Sequence, residues 1–110
     1  MKVVVIGAGY VGLVSALVFS DFGHEVDCIE QDKSKLHKLM NGVVPIFEKG
    51  LQSLLGKNLL TGNISFHSNA DSVLSKADVV ILAVGTPMNE KGDANLDSIF
   101  SAVRQISQKL

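Results

Sequence analysis

Four consecutive β-branched apolar residues, Val3, Val4, Val5 and Ile6, open the chain and stop at Gly7. A run without a polar position predicts a parallel strand buried on both faces. Over residues 10–22 the apolar positions Val11, Val14, Leu17 and Val18 recur at helical spacing, and Gly23 follows where a helix C-cap sits. These positions predict a helix packed back on the strand. Residues 25–30 read as a second strand, after which Asp32 is placed to cap a second helix carrying Leu36, Leu39 and Met40 on one face and closed by Gly42. A longer connection over residues 43–62 contains Pro45 and a short helix over residues 48–55. Ile64 and Phe66 alternate in a third strand, Ala70, Val73, Leu74 and Ala77 mark a helix of about two turns, and residues 78–84 read as a fourth strand. A last helix begins near Asn95, with Leu96, Ile99, Phe100, Val103 and Ile106 on its buried side.

Strands alternating with helices imply an α/β fold with a parallel sheet and right-handed crossovers, in the strand order 3-2-1-4. Ligands of such sheets sit beyond the carboxyl ends of the strands, where the order reverses. The residues to inspect are therefore those after Ile6, Glu30 and Val84.

Composition narrows the function further. A chain of 110 residues accommodates one core, but not a cofactor domain together with a substrate domain. Hydrophobic residues make up 46% and charged residues 19%, as in soluble globular proteins. The formal charge of -1, with no basic cluster beyond Lys33, Lys35 and Lys38 on one helix, argues against a nucleic-acid or membrane-surface role. The uncharged stretch over residues 3–20 has an alternative reading as a signal or membrane segment. Gly7, Gly9 and Gly12 would weaken a continuous helix there, so strand, turn and helix is the better reading. A single cysteine, Cys28, rules out an internal disulfide and is compatible with the cytoplasm. It lies inside the second strand and reads as a small buried hydrophobe. His24, His37 and His67 are scattered without a carboxylate or second histidine at ligand spacing, so they read as structural or solvated and no metal is expected.

Gly7, Gly9 and Gly12 form Gly-x-Gly-x-x-Gly at the junction of the first strand and the first helix, the context that gives this motif its meaning. The first glycine permits a tight turn, the second admits a pyrophosphate close to the backbone, and the third lets the helix approach the strand. Helix N-terminal amides then face the phosphates. This makes the fold a Rossmann-type doubly wound sheet. Glu30 ends the second strand near the spacing at which an acidic residue meets the adenosine ribose, which favours NAD over NADP. Asp32 is a rival for that role, although its position suits an N-cap better. Lys35 reads from position alone as a solvated helix residue. In Gly85, Thr86 and Pro87, a cofactor-reaching hydroxyl and an ordinary strand-ending turn remain equally open.

Several runs of the chain resemble the NAD-binding domain of the UDP-glucose/GDP-mannose dehydrogenase family. KVVVIGAGYVGL at the start resembles its GxGYVGL loop, in which Tyr10 and Val11 accompany the glycines around the pyrophosphate. PIFEKGL at 45–51 resembles PIYEPGL, AVGTP at 83–87 resembles VGTP, and GDANLDSI at 92–99 resembles the GxADL stretch. The resemblance implies cofactor contacts from Gly7, Gly9, Tyr10, Val11, Gly12, Glu30, Lys35 and Thr86, with Glu30 standing where the family usually has an aspartate. Phe47 replaces a tyrosine, Lys49 a proline, and Asn95 an acidic residue of these patterns.

The resemblance further implies oxidation of a sugar-nucleotide primary alcohol to the carboxylate in two NAD-dependent steps. UDP-glucose is the expected substrate, with GDP-mannose as an alternative. The family's cysteine nucleophile and other catalytic groups are expected beyond Leu110, Cys28 does not occupy the nucleophile's position, and the chain alone is expected to bind cofactor without turnover. A non-catalytic NAD-sensing module is the alternative of a different class. With no strand-like run after the fourth strand, the sheet is expected to stop before a fifth. An uncovered apolar edge over residues 78–84 would then favour a homo-oligomer or, failing that, a marginally stable monomer with the final helix folded over it.

Overall fold

The computed structural model describes residues 1–45, 50–83 and Arg104. Four parallel strands, β1 (Lys2–Ile6), β2 (Glu25–Ile29), β3 (Ile64–His67) and β4 (Val79–Leu82), form one sheet in the order β3-β2-β1-β4, as the alternation of elements predicts. The ladder at β4 is continued on both sides by Asp78 N–H to Lys2 O at 2.8 Å and Ala83 N–H to Ile6 O at 2.8 Å. In the described sheet β4 is an outer strand, and Val84 and the final helix lie outside the described residues, apart from Arg104, which is helical and exposed.

Parallel register places Ile81, Val5, Cys28 and Phe66 in one row across the sheet. That row faces a core closed by Leu13, Ala16 and Leu17 of α1 (Tyr10–Asp21), Leu39 of α2 (Lys33–Met40), and Leu51 and Leu55 of α3 (Leu51–Thr61). The opposite face buries Val4 and Ile29 beneath Leu74. This division follows from handedness. Crossovers from β1 to β2 and from β2 to β3 move one way across the sheet and lie on one face, whereas the return to β4 moves the other way and lies on the other.

Four elements differ from the sequence expectation. The buried side of α1 is Gly12, Leu13, Ala16, Leu17 and Ser20, while Val11 and Val18 are 69% and 40% exposed. Small residues spaced by four, Gly12, Ala16 and Ser20, bring the helix close to the sheet, and close approach outweighs the greater hydrophobicity of the valines. Met40 likewise turns outward on α2. The helix expected over residues 48–55 begins at Leu51 and runs on to Thr61. Leu51, Leu55 and Asn58 carry its buried period past Gly56, and the Asn58 amide is satisfied by Leu54 O at 2.9 Å and by Asp21. Residues 70–77 form turns and one 3-10 turn, Leu74–Lys76, in place of an α-helix. Their bonds are largely of the three-residue type, as in Val73 N–H to Ala70 O and Lys76 N–H to Val73 O. This short segment also holds Ser72, Val73 and Ser75, which are weak helix formers.

Asp21 ties α1 to α3 through Lys57 Nζ at 3.0 Å. The Lys57 bond, with a smaller contribution from Asn58, holds the Asp21 carboxyl below the usual aspartate range. A depressed folded-state value stabilises the fold above the unfolded-state value and loses that effect as pH falls through the folded-state value. Asp21→Asn is therefore expected to lower Tm modestly near neutrality. The difference from wild type should begin to shrink as pH falls below about 4 and vanish at still lower pH. Thermal melts of both proteins across that range check this, and a difference that grows on acidification would contradict it.

Candidate functional site

The exits of β1 and β2 lie side by side and are bonded to each other and to β3. Gly7 N–H donates to Ile29 O at 2.9 Å, and Glu30 N–H donates to His67 O at 2.9 Å. Gly7 turns the chain out of β1 with φ 104, a conformation that side chains of L-residues resist. Gly12 sits against that turn so tightly that an added Cβ would land on the Gly7 carbonyl oxygen and come within 3.0 Å of the Ala83 side chain.

Gly9 is different in kind. Its φ of -70 suits any residue, and an added Cβ would meet none of the described residues within 4 Å. Neither the backbone nor the packing of the described residues asks for glycine at this point. Such open space is what the middle glycine of a phosphate-binding turn leaves for an external group. Gly9 is also the N-cap of α1. No side chain caps that terminus and its first turn has no acidic residue, so its positive end suits an anion. Tyr10 and Val11 stand half or more exposed on the rim of the turn.

Glu30 follows β2 directly and is partly buried. Its Oε1 accepts the Asp32 backbone N–H at 2.9 Å, which turns the carboxylate toward the start of α2 and orients it. A carboxylate accepts about four hydrogen bonds, so this contact does not exhaust it. Asp32 is committed elsewhere. Its Oδ1 accepts Ser34 N–H at 2.9 Å and Lys35 N–H at 3.1 Å, the N-cap geometry that its position predicts. Lys35 is exposed in the first turn of α2. Thr86 falls outside the described residues.

Cys28 is fully buried between β1 and β3, and burial, with a smaller push from the Glu30 charge, raises its thiol to about 12. A protonated, inaccessible thiol is not a nucleophile. The sequence reading missed a partner for His67. Its Nε2 lies 2.8 Å from Asp27 Oδ1, forty residues earlier in the chain. Only the register of β2 with β3 brings them together, and the visible signal was that both sit on the same face of adjacent strands. No group of three metal-ligating residues occurs among the described residues. Among them, no helix is long and apolar enough to cross a membrane.

A glycine turn between β1 and α1, an uncapped helix start and an acidic residue at the next strand exit define a dinucleotide-binding domain of the Rossmann type. The chain belongs to the UDP-glucose/GDP-mannose dehydrogenase family, whose NAD binding domain matches residues 1–110. It is 43% identical over its whole length to a UDP-glucose 6-dehydrogenase of Rhizobium meliloti, and covers 25% of that protein. It is 42% identical over 98% of its length to UDP-glucose 6-dehydrogenase YwqF of Bacillus subtilis, covering 24% of it. Among solved structures, it resembles a GDP-mannose dehydrogenase from Pseudomonas aeruginosa with a TM-score of 0.92 and 35% identity. That match covers 96% of this chain and 24% of the other. The chain thus spans about a quarter of the length of these relatives.

Proposed function

We propose that this chain is the NAD-binding domain of an enzyme that oxidises UDP-glucose to UDP-glucuronate. The observation that carries the substrate is the identity of 40–43% with several proteins named UDP-glucose 6-dehydrogenase, over 98–100% of the chain. The cradle supports the cofactor. Gly7, Gly9 and Gly12, with Tyr10 and Val11 at the rim, admit the pyrophosphate to the amides of α1. Glu30 accepts hydrogen bonds from the adenosine ribose hydroxyls and repels a 2′-phosphate, and Lys35 and Thr86 add a cationic and a hydroxyl contact. Bound NAD supplies a hydride acceptor for the alcohol and again for the aldehyde level. The chain's own residues bind and orient.

In this reading residues 1–110 form the cofactor domain, and the nucleophile and substrate domain come from sequence outside the chain, since Cys28 is buried and its thiol is held protonated. The site works in a homo-oligomer in the cytoplasm.

Two measurements test the proposal. The whole protein should reduce two equivalents of NAD per UDP-glucose, whereas the purified 110-residue chain should bind NADH without turning over the sugar nucleotide. Turnover of GDP-mannose in place of UDP-glucose would move the protein to the other branch of its family. Steady NADH production by the 110-residue chain, free of contaminating enzyme, would overturn the division of labour.

A further inference from the structure

One pair of ionisable side chains beside the cradle has no part in binding as described above. His67 is the last residue of β3, and its ring reaches Asp27 in the middle of β2. A carboxylate oxygen only accepts, so the ring nitrogen donates and Nε2 carries the proton. With side-chain exposures of 30% and 27%, the pair is better shielded than the Lys2–Glu25 pair, at 48% and 68%. The contact is diagonal, because His67 stands opposite Ile29 in the ladder and Asp27 stands opposite Ser65.

β3 has four residues and lies at an outer position of the described sheet, and short outer strands fray from their ends. The end that carries His67 is the end that supports the site, since its carbonyl accepts the Glu30 N–H. On the other side, Ile29 O accepts the Gly7 N–H. The exit of β2 is thus bracketed by the glycine turn and by the end of β3, and the second bracket is pinned by the Asp27 bond.

We propose that His67, held by Asp27, is a positioning residue for the Glu30 carboxylate and thereby sets how strongly NAD is preferred over NADP; this rests on the ribose-binding reading of Glu30. When the Asp27 bond is lost, the end of β3 loosens and the Glu30 amide loses its fixed acceptor. The carboxylate is then held only by the turn to Asp32. A displaced carboxylate bonds the ribose hydroxyls less well and opposes a 2′-phosphate less.

Fluorescence titrations of the whole protein with NADH and NADPH test this, using Glu30→Ala, His67→Ala, His67→Gln and Asp27→Ala. His67→Ala and Asp27→Ala should each cut the preference for NADH by about three- to tenfold, the scale of one net hydrogen bond. The double variant should lose no more than either single one. His67→Gln, whose amide N–H can donate to Asp27, should keep most of the preference. A purely structural pair would weaken both cofactors equally or lower Tm alone, and an unchanged preference in Asp27→Ala overturns the proposal even if His67→Ala fails to fold. If Glu30→Ala abolishes the preference while Asp27→Ala and His67→Ala retain it, only this inference fails. If Glu30→Ala itself leaves the preference intact, the ribose reading fails and this inference falls with it.

Discussion

Gly12→Ala is expected to disrupt both fold and binding, whereas Gly9→Ala should disrupt binding alone. At Gly12 the new methyl would fall on the Gly7 carbonyl oxygen, which is backbone and has no rotamer into which to retreat. Helix α1 must move away from β1, and overpacking of that kind costs about 1–3 kcal/mol or more. For a domain of this size the upper part of that range lowers Tm by about 10 °C or more, and displacement of the α1 amides removes the phosphate site with it. At Gly9 the methyl meets no atom of the described residues within 4 Å, and φ -70 is ordinary for alanine. The loss is limited to a weaker N-cap, so Tm should stay within about 5 °C of wild type. NADH affinity should nonetheless fall about tenfold or more, or ~1.4 kcal/mol, because the methyl occupies the space left for the pyrophosphate. Scanning calorimetry and NADH titration of the two variants check the pair. Equal Tm losses for both, or undiminished NADH binding by Gly9→Ala, would contradict the roles given to these glycines.

The strand order and the outline of the cradle were legible because each rests on local signals. A β-branched run ending at Gly7 marks a strand buried on both faces, residues 25–30 read as a second strand, and the glycine spacing at a strand-helix junction has few other uses. Asp32 was legible as a cap because a short acidic side chain before a helix has amides within reach. What was not legible depends on packing at a distance. The inward face of α1 is set by how closely Gly12, Ala16 and Ser20 let it approach the sheet, which a hydrophobicity pattern ranks below Val11 and Val18. The length of α3 was not legible either, because the expected helix ends at residue 55, whereas the buried positions Leu51, Leu55 and Asn58 carry it past Gly56. The Asp27–His67 pair depends on sheet register, which fixes neighbours far apart in sequence.

Glu30→Ala should weaken NADH binding by about ten- to a hundredfold and leave NADPH binding unchanged or improved. The carboxylate accepts hydrogen bonds from the ribose hydroxyls, and bonds to a charged group contribute about 1.5–3 kcal/mol, which converts to that range of affinity. The same charge repels a 2′-phosphate, so for NADPH the relief of that repulsion offsets the lost bond to the 3′-hydroxyl. Loss of the Asp32 N–H contact is a side effect, because that amide is exposed and can turn to water. Cofactor preference therefore separates the ribose role from general damage at the start of α2, where the Asp32 cap remains in place.

The account stands most directly on the sign of that preference. Calorimetric titration of the whole wild-type protein with NADH and NADPH, repeated with Glu30→Ala, measures it. The account predicts that wild type binds NADH at least about tenfold more tightly than NADPH and that the variant brings the two affinities together. Equal affinities in the wild type would contradict it.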